Sequence, residues 1–423
     1  MVISKNLIVL FIISIVFPSG IGISVVGNNI DINKVCYLFC LALVLIFWIK
    51  NPSVLNKYDT LPLFLLLSII PFSVFWISNI QYLIFFVSLI LFFSSYYVGR
   101  IMFVTYDSFL FFLKNISLAY IIIGIVGIIN FYFDIFSLDI FRPNSEDYVS
   151  YQTRGNIIGG DFVILAYKGL EWHTHFFATN RFIWMSLSLA FYIYFERKNI
   201  KINFSNILIF SAILGFIEIL LAQTRYLSLM SFLVFSVLLF FKPNKTWFYV
   251  SLFFSIPVII LFVNTDTFFY YYQALSTLFR SDLTNEEGQI ISYILQTDKR
   301  YLSLMAIINN LSDPRIYLSY GPLFYNYVGD YFMGARAGDF DDLTPNILLF
   351  LEYGFLTYFF LIFYIFFVIF LKGTSIKKYI NYILILVIFS VAASHYPRYI
   401  FYLFFFLGVC FSMSYKSSFK IYK

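Results

Sequence analysis

The sequence predicts an all-α polytopic membrane protein with about twelve transmembrane helices, folded as one integral membrane domain over residues 1–423. Three observations support this prediction. Hydrophobic residues make up 61% of the chain and charged residues only 12%, whereas a soluble domain has roughly 25% charged residues. Mean hydropathy is +0.85. Apolar runs close to the ~20 residues that cross a ~30 Å hydrocarbon layer recur along the chain.

The predicted spans follow these runs in chain order. They lie near 6–26, 35–50, 60–79, 81–99, 115–136, 175–195, 205–223, 226–241, 247–263, 347–371, 379–394 and 399–415. The first run follows Lys5 and lacks a clear small-residue cleavage site, so we predict a retained helix rather than a signal peptide. Cys36, Cys40 and Cys410 lie inside apolar runs, and we expect neither a disulfide nor a metal site from them.

Lysine and arginine in the connecting segments predict the orientation. One alternate set of segments holds 16 basic residues against three acidic ones, which makes this face and both termini cytoplasmic by the positive-inside rule. The opposite set has two long segments. We predict that 137–174 is a first extracytoplasmic loop and that 264–346 is a large, partly helical extracytoplasmic loop that caps a site.

The kind of cation also differs between the two faces. The predicted cytoplasmic set has 14 Lys and 2 Arg, and the outer set has 3 Lys and 9 Arg. The positive-inside rule accounts for the inner lysines but not for the outer arginines. Because a guanidinium group binds phosphate through two parallel hydrogen bonds and stays charged, the arginines predict an outer site for a phosphate or diphosphate. Alternatively, they pair with outer acids and brace the loops.

Two candidate arginines lie at the ends of apolar runs. Arg181 directly follows Asn180, about six residues inside the span that begins near His175, and should face the interior of the bundle. Arg225 ends the tight link 223–225 between two runs. Each could instead be an interfacial anchor whose side chain reaches the lipid headgroups.

The long outer segment contains a predicted amphipathic helix over 288–311, with Arg300 on it, that stops at the Asp-Pro pair 313–314. Arg315 and a turn that contains Tyr320 follow. A helix and a turn in an outer loop predict a cap over the site. The alternative is a docked helix without a chemical role.

Acidic residues supply candidates for a general base. Asp339, Asp341 and Asp342 lie just outside the tenth predicted span, where one of them could accept a proton. They are weak evidence for a metal, and we expect no metal and no cofactor. Glu218 and Glu352 lie within predicted spans, where each either pairs with an arginine or is protonated.

The order of these segments resembles the O-antigen polymerase and O-antigen ligase superfamily over roughly residues 115–415. Members share an Asn/Arg pair early in a span, a Ser/Thr-Arg pattern after a later span, an arginine and a Pro/Gly-rich turn in the long loop, and a span that opens with Asn and Glu-x-Gly. The matching residues here are Asn180-Arg181, Thr224-Arg225, Arg300, Asp313-Pro314, Gly321-Pro322, Pro345-Asn346 and Glu352-Tyr353-Gly354.

The resemblance implies a C-type glycosyltransferase-like bundle in a bacterial inner membrane. Donor and acceptor would be glycans linked to undecaprenyl diphosphate, with a chain-length regulator and a flippase as candidate protein partners and no nucleic acid. The implied catalytic residues are Arg181, Arg225, Arg300, Asp339 and Asp342. The implied substrate-binding residues are Arg315, Asn180, His175, Tyr320, Asn346 and Glu352.

One departure from the family pattern favours a repeat-unit polymerase. Ligases have a histidine at the end of the long loop, where this chain reads Leu-Thr-Pro-Asn over 343–346. We therefore predict polymerisation of O-antigen or capsule repeat units on the outer face of the inner membrane. A ligase of the same fold is one alternative. A flippase or other transporter of lipid-linked oligosaccharide is the alternative from another class, although no internal repeat is evident.

Overall fold

A computed structural model describes residues 2–17, 22–25, 28–51, 59–60, 62, 90, 93–103, 105–133, 151–155, 161–165, 174–222, 225–240, 307–314, 317, 331–332, 335–336, 345–389 and 396–415. The longer helices are α1 Val2–Val16, α2 Ile32–Lys50, α3 Tyr106–Phe133, α4 Thr174–Arg197, α5 Ser205–Leu221, α6 Arg225–Phe240, α7 Pro345–Phe370, α8 Ser375–Phe389 and α9 Tyr396–Tyr415. A further helical stretch covers 93–102. The strands are β1 Gly22–Val25, β2 Asn28–Asp31, β3 Tyr151–Gly155, β4 Asp161–Leu165, β5 Tyr331–Phe332 and β6 Ala335–Arg336.

Most of the apolar runs that lie within the described residues are helical. The predicted span 205–223 corresponds to α5 at Ser205–Leu221, and the predicted span 399–415 corresponds to α9 at Tyr396–Tyr415. The span at 247–263 and nearly all of the span at 60–79 lie outside the described residues. The helical class of the fold is therefore confirmed.

Two helices in the described part of the chain are long and apolar enough to cross a membrane, Ile32–Lys50 and Tyr106–Ile129. Four shorter apolar helices cover Lys5–Val16, Ser205–Leu221, Tyr358–Phe370 and Ile400–Ser414. Buried core helices of soluble proteins can have the same length and apolar composition. The number of membrane spans therefore stays a prediction.

The first predicted span, 6–26, is wrong in its second half. α1 ends at Val16, and β1 then pairs antiparallel with β2, from Gly22 opposite Asp31 to Val25 opposite Asn28. Pro18 follows the helix closely in sequence. Proline disfavours helical geometry in the residue before it and has no N–H to continue the ladder, so a helix ends there even in an apolar run.

Two predicted extracytoplasmic loops contain hairpins that the all-α prediction did not include. β3 pairs with β4 inside 137–174, and β5 pairs with β6 inside 264–346. Aromatic and β-branched residues, such as those at 162–164, favour strands over helices. Within the helix predicted over 288–311, residues 307–309 are described and helical, and a turn at 310–312 precedes Asp313. In the described residues, the fold is therefore helical with three short hairpins.

α3 begins at Tyr106, well before the predicted start of its span at residue 115. Thr105 and Ser108 cap its N-terminus reciprocally. The Ser108 N–H donates to Thr105 Oγ1 at 3.2 Å, and the Thr105 N–H donates to Ser108 Oγ at 3.0 Å. This capping arrangement satisfies two backbone donors at the helix end, so the helix extends into a segment that was predicted to connect two spans.

α4 is the central helix of the described bundle, and α3, α5, α6, α8 and α9 contact it. Its side chains from Phe177 to Phe195 are all buried. Aromatic rings fill much of the space around it; for example, Phe109 and Phe191 have ring centroids 4.9 Å apart. A helix that is buried on every side organises the core, and its polar residues must find partners there.

Contacts along α4 define two ends of the bundle. Near its C-terminus, the hydroxyls of Tyr194 and Ser375 lie 3.0 Å apart. Near its N-terminus, Asn180 contacts Ile15 of α1 and Tyr402 of α9. The lysine-rich segments 197–201 and 372–378 thus share one end, and the predicted Asn180-Arg181 motif lies towards the other.

Candidate functional site

Arg181 and Glu218 form an ion pair between α4 and α5, inside the bundle. The side chains are 4% and 0% exposed, and the contact joins Arg181 Nη2 to Glu218 Oε2. Of the two alternatives for Glu218, the structure shows the pair with an arginine. Because two charges are costly to remove from water, each of them makes the other's burial tolerable.

The guanidinium group is held on its other sides by α3 and by its own helix. Arg181 Nη2 donates to the Tyr120 carbonyl at 2.8 Å, and Cζ lies 4.7 Å from the Tyr120 ring centroid and 5.8 Å from that of Phe177. Gly124 leaves room for the group, since an added Cβ would overlap Nη2 and lie 3.0 Å from Glu218 Oε1. Arg181 faces the interior and is not an anchor to the headgroups.

One donor of Arg181 is unused. Nε is buried and has no hydrogen-bond acceptor among the described residues. A carboxylate or phosphate that binds arginine in the bidentate manner uses two parallel N–H groups. On the edge of the guanidinium group formed by Nε and Nη2, only Nη2 has acceptors among the described residues.

Asn180 connects four helices through one amide. Its Oδ1 accepts hydrogen bonds from the Tyr120 hydroxyl at 3.0 Å, from Trp184 Nε1 at 2.9 Å and from the Tyr402 hydroxyl. Its Nδ2 lies 3.5 Å from the Ile15 carbonyl. The amide predicted to bind substrate is thus occupied by donors of the bundle and fixes α1, α3 and α9 against α4.

α6 begins with Arg225 at the same end of the bundle. The Ser228 hydroxyl, in the first turn of α6, donates to the Ile219 carbonyl at 3.4 Å, and Ile219 follows Glu218 directly. The start of α6 therefore packs at the level of the Arg181–Glu218 pair. The Arg225 side chain itself lies outside the described residues.

Glu352 is fully buried in α7, and the helix breaks two residues later. Gly354 has φ 76° and ψ 165°, which is not helical. Essentially only glycine adopts this conformation, because a Cβ would clash with the backbone. The Glu-x-Gly motif thus coincides with a break in the helical geometry of α7, two residues after a buried carboxyl group.

A second buried ion pair, Arg100 with Asp59, was not predicted. Arg100 Nε lies 3.0 Å from Asp59 Oδ1, which also accepts a hydrogen bond from the Tyr96 hydroxyl at 2.7 Å. The Tyr364 hydroxyl donates to that of Tyr96 at 2.8 Å. Both residues belong to segments that are predicted to face the cytoplasm. The available signal was the spacing of Tyr96 and Arg100, which places both on one face of a helix.

Several predicted site residues are outside the part of the chain that the structure describes: Arg300, Arg315, Tyr320, Asp339 and Asp342. The structure gives backbone only for His175 in α4, Arg225 in α6 and Asn346 in α7. The structure thus brings together Asn180, Arg181 and the first turn of α6. The convergence of Arg300 with them stays a prediction.

Comparisons with protein-family models, with curated proteins and with solved structures find no match. The chemistry of the site is therefore the basis for a functional assignment. A guanidinium group in a dry, aromatic environment interacts strongly with an anion, because there is little water to screen the charge.

Proposed function

We propose that the protein is a membrane glycosyltransferase that polymerises oligosaccharide repeat units carried on undecaprenyl diphosphate, on the outer face of a bacterial inner membrane. The observation that carries this proposal is the burial of Arg181 at the level where α6 begins with Arg225. A buried arginine is costly and is by default a functional residue in a membrane protein.

An outward apolar face supports the membrane part of the proposal. α7 exposes a series of phenylalanines after its break: Phe355, Phe359, Phe363, Phe366 and Phe370, with exposed fractions from 48% to 79%. α2 also exposes large apolar side chains, among them Phe39 and Ile49. Soluble proteins rarely leave contiguous apolar surfaces of this kind uncovered, and lipid acyl chains would cover them.

The proposed reaction transfers a glycan from one lipid diphosphate to a sugar hydroxyl of a second lipid-linked unit. The acceptor oxygen attacks the anomeric carbon and a new glycosidic bond forms. The bond from that carbon to the diphosphate oxygen breaks, and the diphosphate leaves with the electron pair. Arginines stabilise the charge that develops on the leaving group, and a base among Asp339, Asp341, Asp342 or a histidine takes the hydroxyl proton.

In-vitro polymerisation of a defined undecaprenyl-diphosphate repeat unit by the purified full chain tests the proposal. We expect a ladder of products, with and without a chelator. Arg225→Lys should lose most of the activity, because an ammonium group cannot reproduce the bidentate contact to phosphate. Arg197→Lys, on an exposed residue at the opposite end of α4, is the matched control. The assignment would be contradicted if Arg225→Ala protein, present at the same amount as the wild type, made glycan products of near-normal length.

One observation favours a transporter of lipid-linked oligosaccharide as a second candidate. Transporters place discontinuous helices at their substrate sites, and α7 is discontinuous at Gly354. Translocation of a labelled lipid-linked unit across vesicles, without formation of any glycosidic bond, would support this candidate. Attachment of finished glycan to an acceptor, without chain growth, would instead indicate a ligase.

A further inference from the structure

We propose that Glu218 is the resident occupant of an anion site centred on Arg181, and that a phosphate group of the ligand displaces it. The identity of the anion as a polyprenyl diphosphate rests on the proposed function, whereas the exchange at Arg181 rests on geometry alone. Glu218 is then a positioning residue that holds the guanidinium group ready and weakens anion binding by competing for it.

The pair has the geometry of an exchangeable contact. The guanidinium group is held by groups other than Glu218, since the Tyr120 carbonyl accepts from Nη2 and the rings of Tyr120 and Phe177 flank Cζ. Arg181 therefore stays in place when the carboxylate leaves. Nε is buried without an acceptor among the described residues, so an incoming phosphate can use both N–H groups of that edge.

The position of Glu218 fits such an exchange. It lies on the last turns of α5, close to the link that leads to Arg225. The end of α5 and the start of α6 are joined by the Ser228–Ile219 hydrogen bond, so a ligand that contacts Arg225 approaches the same level of the bundle. A diphosphate has two anionic groups, which suits two arginines on neighbouring helices near one level of the bundle.

Burial sets the energetics of the Arg181–Glu218 pair. A buried guanidinium group without a counter-ion is strongly unfavourable, so the carboxylate is required when no ligand is bound. Neutralising the carboxylate removes the competitor and leaves a buried positive charge, which an incoming anion can satisfy. Glu218→Gln should therefore raise the affinity for anions, whereas a purely structural ion pair predicts only a loss of stability.

The second buried pair provides the matched control. Asp59→Asn removes a carboxylate that is also almost fully buried and also paired with an arginine. Its partners are Tyr96 and Arg100, whereas Glu218 pairs with Arg181 of α4. Loss of a buried acid as such should affect both variants alike, so a difference between them reports on the Arg181 site.

The test measures binding of farnesyl diphosphate, a short probe for polyprenyl diphosphates, to the full chain in lipid nanodiscs. We expect Glu218→Gln to lower Kd about tenfold, Asp59→Asn to leave Kd unchanged, and Glu218→Gln combined with Arg181→Gln to abolish the gain. An unchanged or higher Kd in folded Glu218→Gln protein would overturn the inference, as would an equal gain in Asp59→Asn.

Glu218→Asp keeps the charge on a shorter side chain and covers the case in which the glutamine variant does not fold. Its weaker hold on Arg181 should give a smaller decrease in Kd, and no decrease in that folded variant would overturn the inference.

The polymerisation assay separates the two proposals. If the wild-type chain does not polymerise while Glu218→Gln still tightens binding, the proposed function is rejected and the anion site stands.

Discussion

At Asn180, one side-chain oxygen serves three donors that come from α3, α4 and α9. The next residue, Arg181, forms an ion pair with Glu218 of α5. Adjacent residues on α4 thus satisfy different neighbours, because successive side chains of a helix point about 100° apart. Asn180 and Arg181, which the sequence motif identifies, therefore also hold several helices of the core together.

Asn180→Leu should destabilise the protein by about 3 kcal/mol, because it leaves buried hydroxyl and indole donors without an acceptor. The measurement is the thermal unfolding midpoint of purified protein in detergent. Asn180→Asp keeps an acceptor oxygen at the same position and should recover part of the loss. Equal stability of the leucine variant and the wild type would show that these hydrogen bonds do not matter.

At the scale of elements, the junction between α7 and α8 depends on one lysine. Lys377 is 2% exposed, and its Nζ donates to the carbonyls of Val368 at 2.8 Å, Ile369 at 3.1 Å and Leu371 at 2.6 Å. These carbonyls belong to the last turn of α7 and the residue after it, where helical partners are missing. The ammonium group satisfies them and favours the negative end of the helix dipole.

Lys377→Met should therefore lower the free energy of unfolding by about 2 kcal/mol, since several buried carbonyls lose their donor. Lys378→Met is the matched control, because Lys378 is the next residue on α8 and is exposed. The comparison of unfolding midpoints in detergent tests this. A smaller loss for Lys377→Met than for Lys378→Met would refute the capping role.

At the scale of the whole molecule, the described helices run between two ends of the bundle. One end has the turn after α4 at Asn199 and the start of α8, and the other has the β1–β2 hairpin and the start of α9. Basic residues collect at the first end. Under the proposed membrane arrangement, the first end is cytoplasmic and the second is outside.

Cysteine labelling tests this arrangement in a chain whose Cys36, Cys40 and Cys410 are replaced by alanine. A membrane-impermeant maleimide should label Asn29→Cys in intact spheroplasts and Asn199→Cys only after permeabilisation, because the bilayer separates the two ends. The cysteine-free chain is the control and should stay unlabelled. Equal labelling of both positions in intact spheroplasts would reject the orientation.

The predictions succeeded and failed for physical reasons that particular residues illustrate. Helices from α4 to α9 lie close to their predicted ranges because a long apolar run satisfies its own backbone only as a helix. The end of α1 and the early start of α3 depended on local signals, a proline and a Thr-Ser cap, which hydropathy does not register. β1 was missed because its residues continue an apolar run, and the other two hairpins were missed because they lie in segments predicted as loops.

The sequence by itself determined the helical class, the positions of most apolar helices and the separation of lysine from arginine. These properties follow from composition and from interactions between residues near one another in the chain. Only the tertiary structure decided which charges meet. Arg181 pairs with Glu218, and Arg100 with Asp59, because helix packing sets the register between distant segments. Gly124 leaves the space that the Arg181 guanidinium group needs, which a larger side chain would fill.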